Sequence, residues 1–482
     1  MLNSRQITSL ALIVSACLNL SATAADLDGL LPKQDSFSST SLQEVGVNNP
    51  IQLWIVKEAP AGDLPAATGP IALSDAVQLG IKNNFALKES EEVWQGSKFL
   101  ARAALAKFGP SASFNTFFST SSLNQMLFLP GDTTVASPPM QPIVKGTSVS
   151  MMFAGTQPLF TGGRILGGYK AARAQERQSL AVFREERIAT ALKIKEEYWN
   201  AAWNQARLRV AQDYVKYRQW SSNNIKVRVD EGKAPRADYL REAAELSRAR
   251  AQTNERYRDF NTALLNLKVV MAVNPGSPLE LKDELVFTEI QGDLSSYLIT
   301  AGKNRPEIAR ATSKVNEAKA RKMVAMSKYS PQVNAYGLSS NISGSSPDGN
   351  ANGKWGAFIG VMGGVTLFDS GSRLNELRAA NAAVRQALFT QKDANLKVAQ
   401  EVSQAWIDLD LARRNVELSQ AEVTSAEEDN RLFHARYQVG KSIALEAFDA
   451  AVKMFQARLN LLESVYKYRV AQARLVRASG DI

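Results

Sequence analysis

The chain has 482 residues, 45% apolar and 22% charged, a globular balance that excludes wholesale disorder. One Cys and one His exclude a disulfide framework, a Cys-rich zinc module and a multi-His metal site, and a Ser-His-Asp triad would rest on His434 alone. The formal net charge is +10, but both signs are spread along the chain, so a solvated helical surface is the better reading and no nucleic-acid partner is expected.

The first residues read as a targeting segment. Arg5 precedes a largely apolar stretch from Ile7 to Leu20, followed by Ser21-Ala22-Thr23-Ala24-Ala25. We expect a signal peptide over 1–24, cleaved at Ala22-x-Ala24. A second processing site competes, because Val14-Ser15-Ala16-Cys17 has the form of a bacterial lipobox, with Cys17 as the lipidated residue. Cleavage after Ala24 removes only one charge and leaves +9. No later stretch reaches the ~18 apolar residues a spanning helix needs. Residues 25–70 form an N-terminal extension without a functional reading.

Glycine and proline then mark the organisation. Tyr169 to Glu231 and Ser372 to Val439 contain neither, nor do Arg236 to Asn274 and Lys441 to Ser479. Such runs, rich in Ala, Leu, Glu, Lys, Gln and Arg, predict very long helices, over 164–231 and 372–439, with returning helices over 236–274 and 441–479. A helix over 164–231 would be ~100 Å long, so these helices must lie side by side. Within 441–479, Leu445, Phe448, Val452, Phe455, Leu459, Leu462 and Tyr466 alternate three and four apart, the spacing of a coiled-coil seam.

The chain is also a tandem repeat, with copies over 71–274 and 294–482 and a linker over 275–293. Lys107-Phe108-Gly109-Pro110 matches Lys328-Tyr329-Ser330-Pro331 at an offset of 221. Leu159-Phe160-Thr161-Gly162-Gly163 matches Leu367-Phe368-Asp369-Ser370-Gly371 at 208, as do Gly232-Lys233 with Gly440-Lys441 and Ala249-Arg250 with Ala457-Arg458. The first copy therefore carries a longer insertion between Pro110 and Leu159. Two copies are too few for a solenoid and read as pseudo-symmetric halves of one body.

Each copy opens with two helices, 73–82 and 86–108 or 294–302 and 307–329. Two strand-like stretches follow, Ser111–Ser119 with Thr147–Gln157 and Gln332–Ser340 with Trp355–Leu367, making hairpin regions 111–157 and 332–367. Val149, Met151 and Phe153 share a face with Ala112, Phe114 and Phe118, while Ser113, Asn115, Ser148 and Ser150 occupy the other. That alternation suits a strand of an outer-membrane barrel as well as a half-buried soluble hairpin. Four strands cannot close a barrel, and open edges are not tolerated in lipid, so a spanning subunit must oligomerise. Strand number alone leaves two, three or four copies open.

The whole of 71–480 resembles the TolC-like outer-membrane efflux protein family. The resemblance rests on Leu73-Ser74-Asp75-Ala76-Val77 with Lys82-Asn83-Asn84, on Gln157-Pro158-Leu159-Phe160-Thr161-Gly162-Gly163-Arg164 at a strand-to-helix junction, and on Tyr437-Gln438-Val439-Gly440-Lys441 at a helix turn. It implies a mainly α fold with a small β part. It further implies a homotrimer, with an α-barrel in the periplasm and four strands per subunit completing a twelve-stranded β-barrel in outer-membrane lipid. The implied function is a passive exit duct of a Gram-negative cell, joined by a periplasmic adaptor to an inner-membrane pump or type I secretion system. No cofactor, metal or enzymatic activity is expected.

Glu446 and Asp449, three apart, share one helix face just beyond Gly440. By resemblance they ring the periplasmic pore entrance, where carboxylates favour cations. The resemblance also makes Tyr437 and Asp238 parts of a lock that holds the duct closed. The family can carry an arginine where this chain has Ser442, which shifts that arm of the lock to Lys441. The turns Gly232-Lys233-Ala234 and Gly440-Lys441-Ser442 become the adaptor docking tips. The competing class is a periplasmic coiled-coil spacer or adaptor without a pore.

Overall fold

The computed structural model describes residues 64–66, 69–121, 125–127, 141–143, 146–290, 292–346, 349–351, 355–439 and 441–482. Cys17, Ala22, Ala24, the loop containing Pro130 and Pro138, and Gly440 lie outside the described residues. In chain order the elements are β1 (Gly69–Ile71), α1 (Leu73–Asn83), α2 (Phe85–Ala106), β2 (Ser111–Ser121), β3 (Gln125–Leu127), β4 (Gln141–Ile143), β5 (Gly146–Phe160), α3 (Arg164–Asp230), α4 (Arg236–Val270), β6 (Leu279–Leu281), α5 (Leu294–Asn304), α6 (Pro306–Ser327), β7 (Gln332–Ser346), β8 (Gly349–Ala351), β9 (Trp355–Gly364), α7 (Ser372–Gln438) and α8 (Ala444–Ser479). The fold is mainly helical with a small antiparallel sheet.

Four long strands run β2-β5-β7-β9, each antiparallel to its neighbour, with short β8 also on β7. The register sets Phe114 opposite Phe153 and Phe118 opposite Val149, so the apolar residues share one face. Aromatic packing then ties the strands across that face: the Phe114 and Phe153 rings lie 4.6 Å apart, and Phe153 and Trp355 5.9 Å. On the other face Ser150 and Met152 are buried. Among the described residues the outer strands β2 and β9 have no second long neighbour, and Phe358, Ile359, Val361 and Met362 of β9 are exposed on both faces.

α3 and α7 are 67 residues each, ~100 Å long. The repeat is visible atom by atom at their ends. Gly162 and Ser370 hold the same left-handed backbone, φ 57° and 54°, where the chain turns from strand to helix. Ala272 and Gly480 repeat this, φ 52° and 87°, just past α4 and α8. Asn84 Nδ2 donates to Val270 O at 3.2 Å, and Arg305 at the matching place donates to Ala478 O and Arg477 O. Each copy thus uses the residue between its first two helices to satisfy carbonyls left open where its returning helix ends.

The linker is held by two buried tyrosines. β1 and β6 pair in parallel, Gly69 to Ile71 with Leu279 to Leu281. The Tyr198 hydroxyl lies 3.0 Å from Ile71 O and 3.1 Å from Asp283 Oδ2, and Asp283 also accepts from Leu73 N at 2.7 Å. Further along, Tyr468 donates to Thr288 O at 3.2 Å and accepts from Ile290 N at 3.1 Å. Around them Ile194, Leu267 and Met271 form one core cluster, and Leu409, Val416, Val465 and Leu475 a second.

The α8 stripe of Leu445, Phe448, Val452, Phe455, Leu459, Leu462 and Tyr466 packs against a neighbouring helix at its aromatic members, while Leu445 and Val452 are exposed. The neighbour is α3: Phe455 meets Tyr214 at 4.9 Å and Tyr466 stacks on Trp203 at 4.9 Å. The α7 seam lies one register over, through Met454, Leu461, Val465 and Tyr468. We expect Gly162→Ala to cost about 1–3 kcal/mol, because its φ is positive and an added Cβ would lie 2.3 Å from Ser330 Cβ. Ser370→Gly should instead gain up to about 1 kcal/mol by relieving the left-handed strain. Thermal unfolding midpoints of the two variants check the opposite signs.

Candidate functional site at the helix tips

Both long hairpins turn in the same way. Gly232 adopts φ 71°, and Lys233 N donates to Arg228 O at 2.7 Å. In the second copy Lys441 N donates to Arg436 O at 2.9 Å. These are the bonds that close a helix C-terminus and reverse the chain. Pro235 precedes α4, and Ile443 precedes α8.

Glu446 and Asp449 lie on the first two turns of α8, both exposed. They line a groove of about 420 Å³ between α7 and α8, with Glu422, Asp429, Phe433 and Lys453. Four carboxylates therefore face one groove, twice the number singled out from sequence. Glu446 accepts from the Ser442 hydroxyl at 2.6 Å, and Glu422 from Asn460 Nδ2 at 3.3 Å. None of the four has a cationic partner among the described residues. Elsewhere on α7, Asp410 pairs with Arg413 at 3.1 Å and Arg414 at 2.8 Å, and Glu428 with Arg431 at 2.7 Å. The hydrogen bond from Arg413 holds the Asp410 carboxyl below its ordinary value, and that from Arg431 does the same for Glu428. The groove is thus a local excess of negative charge on a helix whose other acids are largely neutralised in pairs.

The lock candidates are not joined within one chain. No hydrogen bond links Tyr437 to Asp238 among the described residues. Tyr437 lies beneath the Arg228 guanidinium instead, 4.5 Å from its ring centroid. Asp238 sits in the first turn of α4, where a carboxylate suits the helix dipole. Lys441 is exposed and has no ion pair among the described residues, while Lys233 pairs with Glu231 at 2.9 Å. Ser442, where the resemblance allows an arginine, donates its hydroxyl to Glu446. His434 faces Trp220 at 5.2 Å in a cleft shared with Tyr217, Arg228 and Tyr437.

A buried ion pair behind the tips was not foreseen. Arg218 Nη1 lies 3.0 and 3.2 Å from the Glu242 carboxylate, and the two side chains are 4% and 1% exposed. Tyr214 Oη accepts from Arg218 Nε at 2.8 Å and Nη2 at 2.6 Å, and Phe448 of α8 lies 5.9 Å away. Charged residues on long polar helices read as solvated. The one available signal was that Arg218 and Glu242 stand on nearly level turns either side of Gly232. Burial beside this pair pushes the Tyr217 phenol up to about 12.

An apolar-faced sheet with open edges among the described residues, carried on two long helical hairpins, fits an outer-membrane channel subunit with a large periplasmic part. Among the described residues no helix is long and apolar enough to cross a membrane. The family described as outer membrane efflux protein matches residues 77–273 and 298–481, and the chain belongs to it. It is an outer-membrane transport channel of TolC type. Outer membrane protein OprJ of Pseudomonas aeruginosa is 25% identical over 327 residues, 66% of this chain and 67% of that one. Protein CyaE of Bordetella pertussis is 24% identical over 337 residues, 67% of this chain and 69% of that one. Among solved structures, CusC has a TM-score of 0.69 at 16% identity, covering 92% of this chain and 99% of its own. The open state of the Neisseria gonorrhoeae MtrE outer membrane channel has a TM-score of 0.68 at 18% identity, covering 94% and 98%.

The raised Tyr217 phenol has a stability consequence. Its folded value lies above the unfolded value of ~10, so the folded state holds the proton longer. The resulting stability is complete below pH ~10 and is lost as pH rises through about 12. We expect urea midpoints to fall across that window, and to fall less in Tyr217→Phe.

Proposed function

We propose that three copies of this chain form a passive exit duct of a tripartite efflux or type I secretion system, gated at its periplasmic end by Glu446 and Asp449. The observation that carries the trimer is the four-stranded apolar sheet with both edges open. Hydrocarbon offers an edge strand no hydrogen-bond partner, and the smallest membrane barrels have about eight strands. Three sheets joined edge to edge make a closed wall of twelve. The partners are a second and third copy, outer-membrane lipid, a periplasmic adaptor docking at Gly232, Lys233, Ala234, Gly440, Lys441 and Ser442, and an inner-membrane pump. On this reading the mature chain begins near Ala25 rather than at a lipidated Cys17, and the intact mass of purified protein decides between them.

The gate reading is supported by the unpaired carboxylates of the α7–α8 groove. Brought together by three-fold symmetry, they would place a strong negative field across a narrow aperture and favour cations. Asp238, Tyr437 and Lys441 act as the lock between neighbouring hairpins: Asp238 and Lys441 have no ion pair in their own chain among the described residues, and Tyr437 carries the Arg228 guanidinium over its ring. Native mass measurement in gentle detergent is expected to give a trimer, and a monomer alone would overturn it. In planar bilayers, Glu446→Gln with Asp449→Asn should reduce cation selectivity while leaving the trimer intact. Tyr437→Phe with Asp238→Ala should raise conductance. Wild-type selectivity in the first variant and wild-type conductance in the second would remove these residues from the gate.

A further inference from the structure

The four long strands carry no charge. None of residues 108–121, 146–163, 329–346 and 355–368 is Asp, Glu, Lys, Arg or His. Charges return abruptly where strand meets helix, at Lys107, Arg164, Lys328 and Asp369. Side-chain bonds hold these junctions at one level. Gln157 Nε2 donates to Phe108 O at 2.9 Å, Gln332 Nε2 to Thr161 O at 3.1 Å, and Arg373 to Lys328 O at 3.4 Å and Leu367 O at 3.3 Å. Phe108, Leu159, Tyr329 and Leu367 are exposed there. Such an apolar, aromatic rim on a charge-free sheet is where hydrocarbon gives way to lipid headgroups, here on the side of the long helices.

At this level the two repeats differ in one respect. The second carries its own anions. The Asp369 carboxylate sits at the N-terminus of α7, accepting from Gly371 N at 3.3 Å and Arg373 N at 3.0 Å, and it pairs with the Arg373 guanidinium at 2.8 Å. Lys328, at the end of α6, reaches across to Glu376 on α7 at 2.6 Å. At the offset of 208, Asp369 and Glu376 correspond to Thr161 and Gly168. The first repeat thus keeps the lysine, Lys107, and has Arg164 opening α3, but lacks both acids. Lys107 and Arg164 are exposed and have no ion pair among the described residues. Arg164 Nε reaches only Gln332 Oε1 at 3.4 Å, and Thr161 Oγ1 accepts from Ile165 N at a long 3.5 Å. We propose that Lys107, Arg164 and the N-terminus of α3 bind the phosphate of an anionic phospholipid in the periplasmic leaflet of the outer membrane. The lipid phosphate takes the place that the Asp369 carboxylate fills at α7, where free amides and the helix dipole favour an anion. Its acyl chains lie along the sheet beside exposed Phe108 and Leu159, which selects a lipid over a free phosphate. The site rests on the outer-membrane location and is independent of the trimer and of the gate.

Native mass spectrometry of the purified full-length protein in gentle detergent tests it, with phosphatidylglycerol or phosphatidylcholine added and the bound lipid counted per chain. The wild type should retain phosphatidylglycerol over phosphatidylcholine by at least about fivefold, the effect of a single interfacial cation. Lys107→Gln with Arg164→Gln should abolish the preference. Thr161→Asp should abolish it too, although both cations remain, because the new carboxylate occupies the end of α3 as Asp369 does that of α7. Lys328→Gln with Glu376→Gln removes a pair already neutral and should leave the preference as it is. Equal retention of the two lipids by the wild type overturns the proposal, whether or not the variants fold. A preference that survives Thr161→Asp overturns it as well, and one lost equally in the Lys328–Glu376 variant shows that general surface charge is responsible. Displacement of the lipid by millimolar inorganic phosphate would make this a free-phosphate site and overturn the lipid assignment.

Discussion

Every part of this subunit answers to one constraint, that a backbone amide in hydrocarbon must find a hydrogen-bond partner. A four-stranded sheet with an apolar face satisfies its inner strands and leaves β2 and β9 half satisfied. Those edges are what the proposed assembly of copies would pair. Aromatic contacts from Phe114 through Phe153 to Trp355 hold the sheet together laterally. The long helices continue from β5 and β9, and their direction is set by the same tight junctions. Gly163 and Gly371, with φ 94° and 85°, let the chain turn there without a side chain in the way.

Duplication supplied the second constraint. Matching carbonyls at the ends of α4 and α8 are satisfied by Asn84 in one copy and Arg305 in the other. The task survived while the residue changed, from a neutral amide to a guanidinium that also pairs with Glu307 at 3.0 Å and with Glu401. The tips evolved the opposite way. Their backbone turns remained alike, through the bonds of Lys233 to Arg228 and Lys441 to Arg436, while the chemistry behind them diverged. One hairpin buried its charges as a pair, and the other collected unpaired carboxylates along an open groove.

Much of this was legible along the chain. Breaker-free runs set the long helices to within a few residues, because a helix of this length has no local competitor once Gly and Pro are absent. The offsets of 221 and 208 revealed the repeat, and strand alternation put Phe114, Val149, Met151 and Phe153 on one face before any register was known. The shared helix face of Glu446 and Asp449 follows from their spacing of three, but only the family resemblance singled them out from other exposed acids. Glu422 and Asp429 were not singled out, since they come from another helix and join the groove only through the packing of α7 on α8.

The sequence by itself determined which segments are helices or strands, where they turn, and that the two halves repeat. These follow from local backbone sterics and periodicity. Only the tertiary structure decided which face of each helix meets which neighbour. The aromatic residues of the α8 stripe went to α3, and a neighbouring register with Leu461, Val465 and Tyr468 took the α7 seam. It also decided that Arg218 and Glu242 are buried while chemically similar charges a turn away stay in water. Periodicity names a face but not its partner, and a charge becomes structural only when the fold removes its solvent.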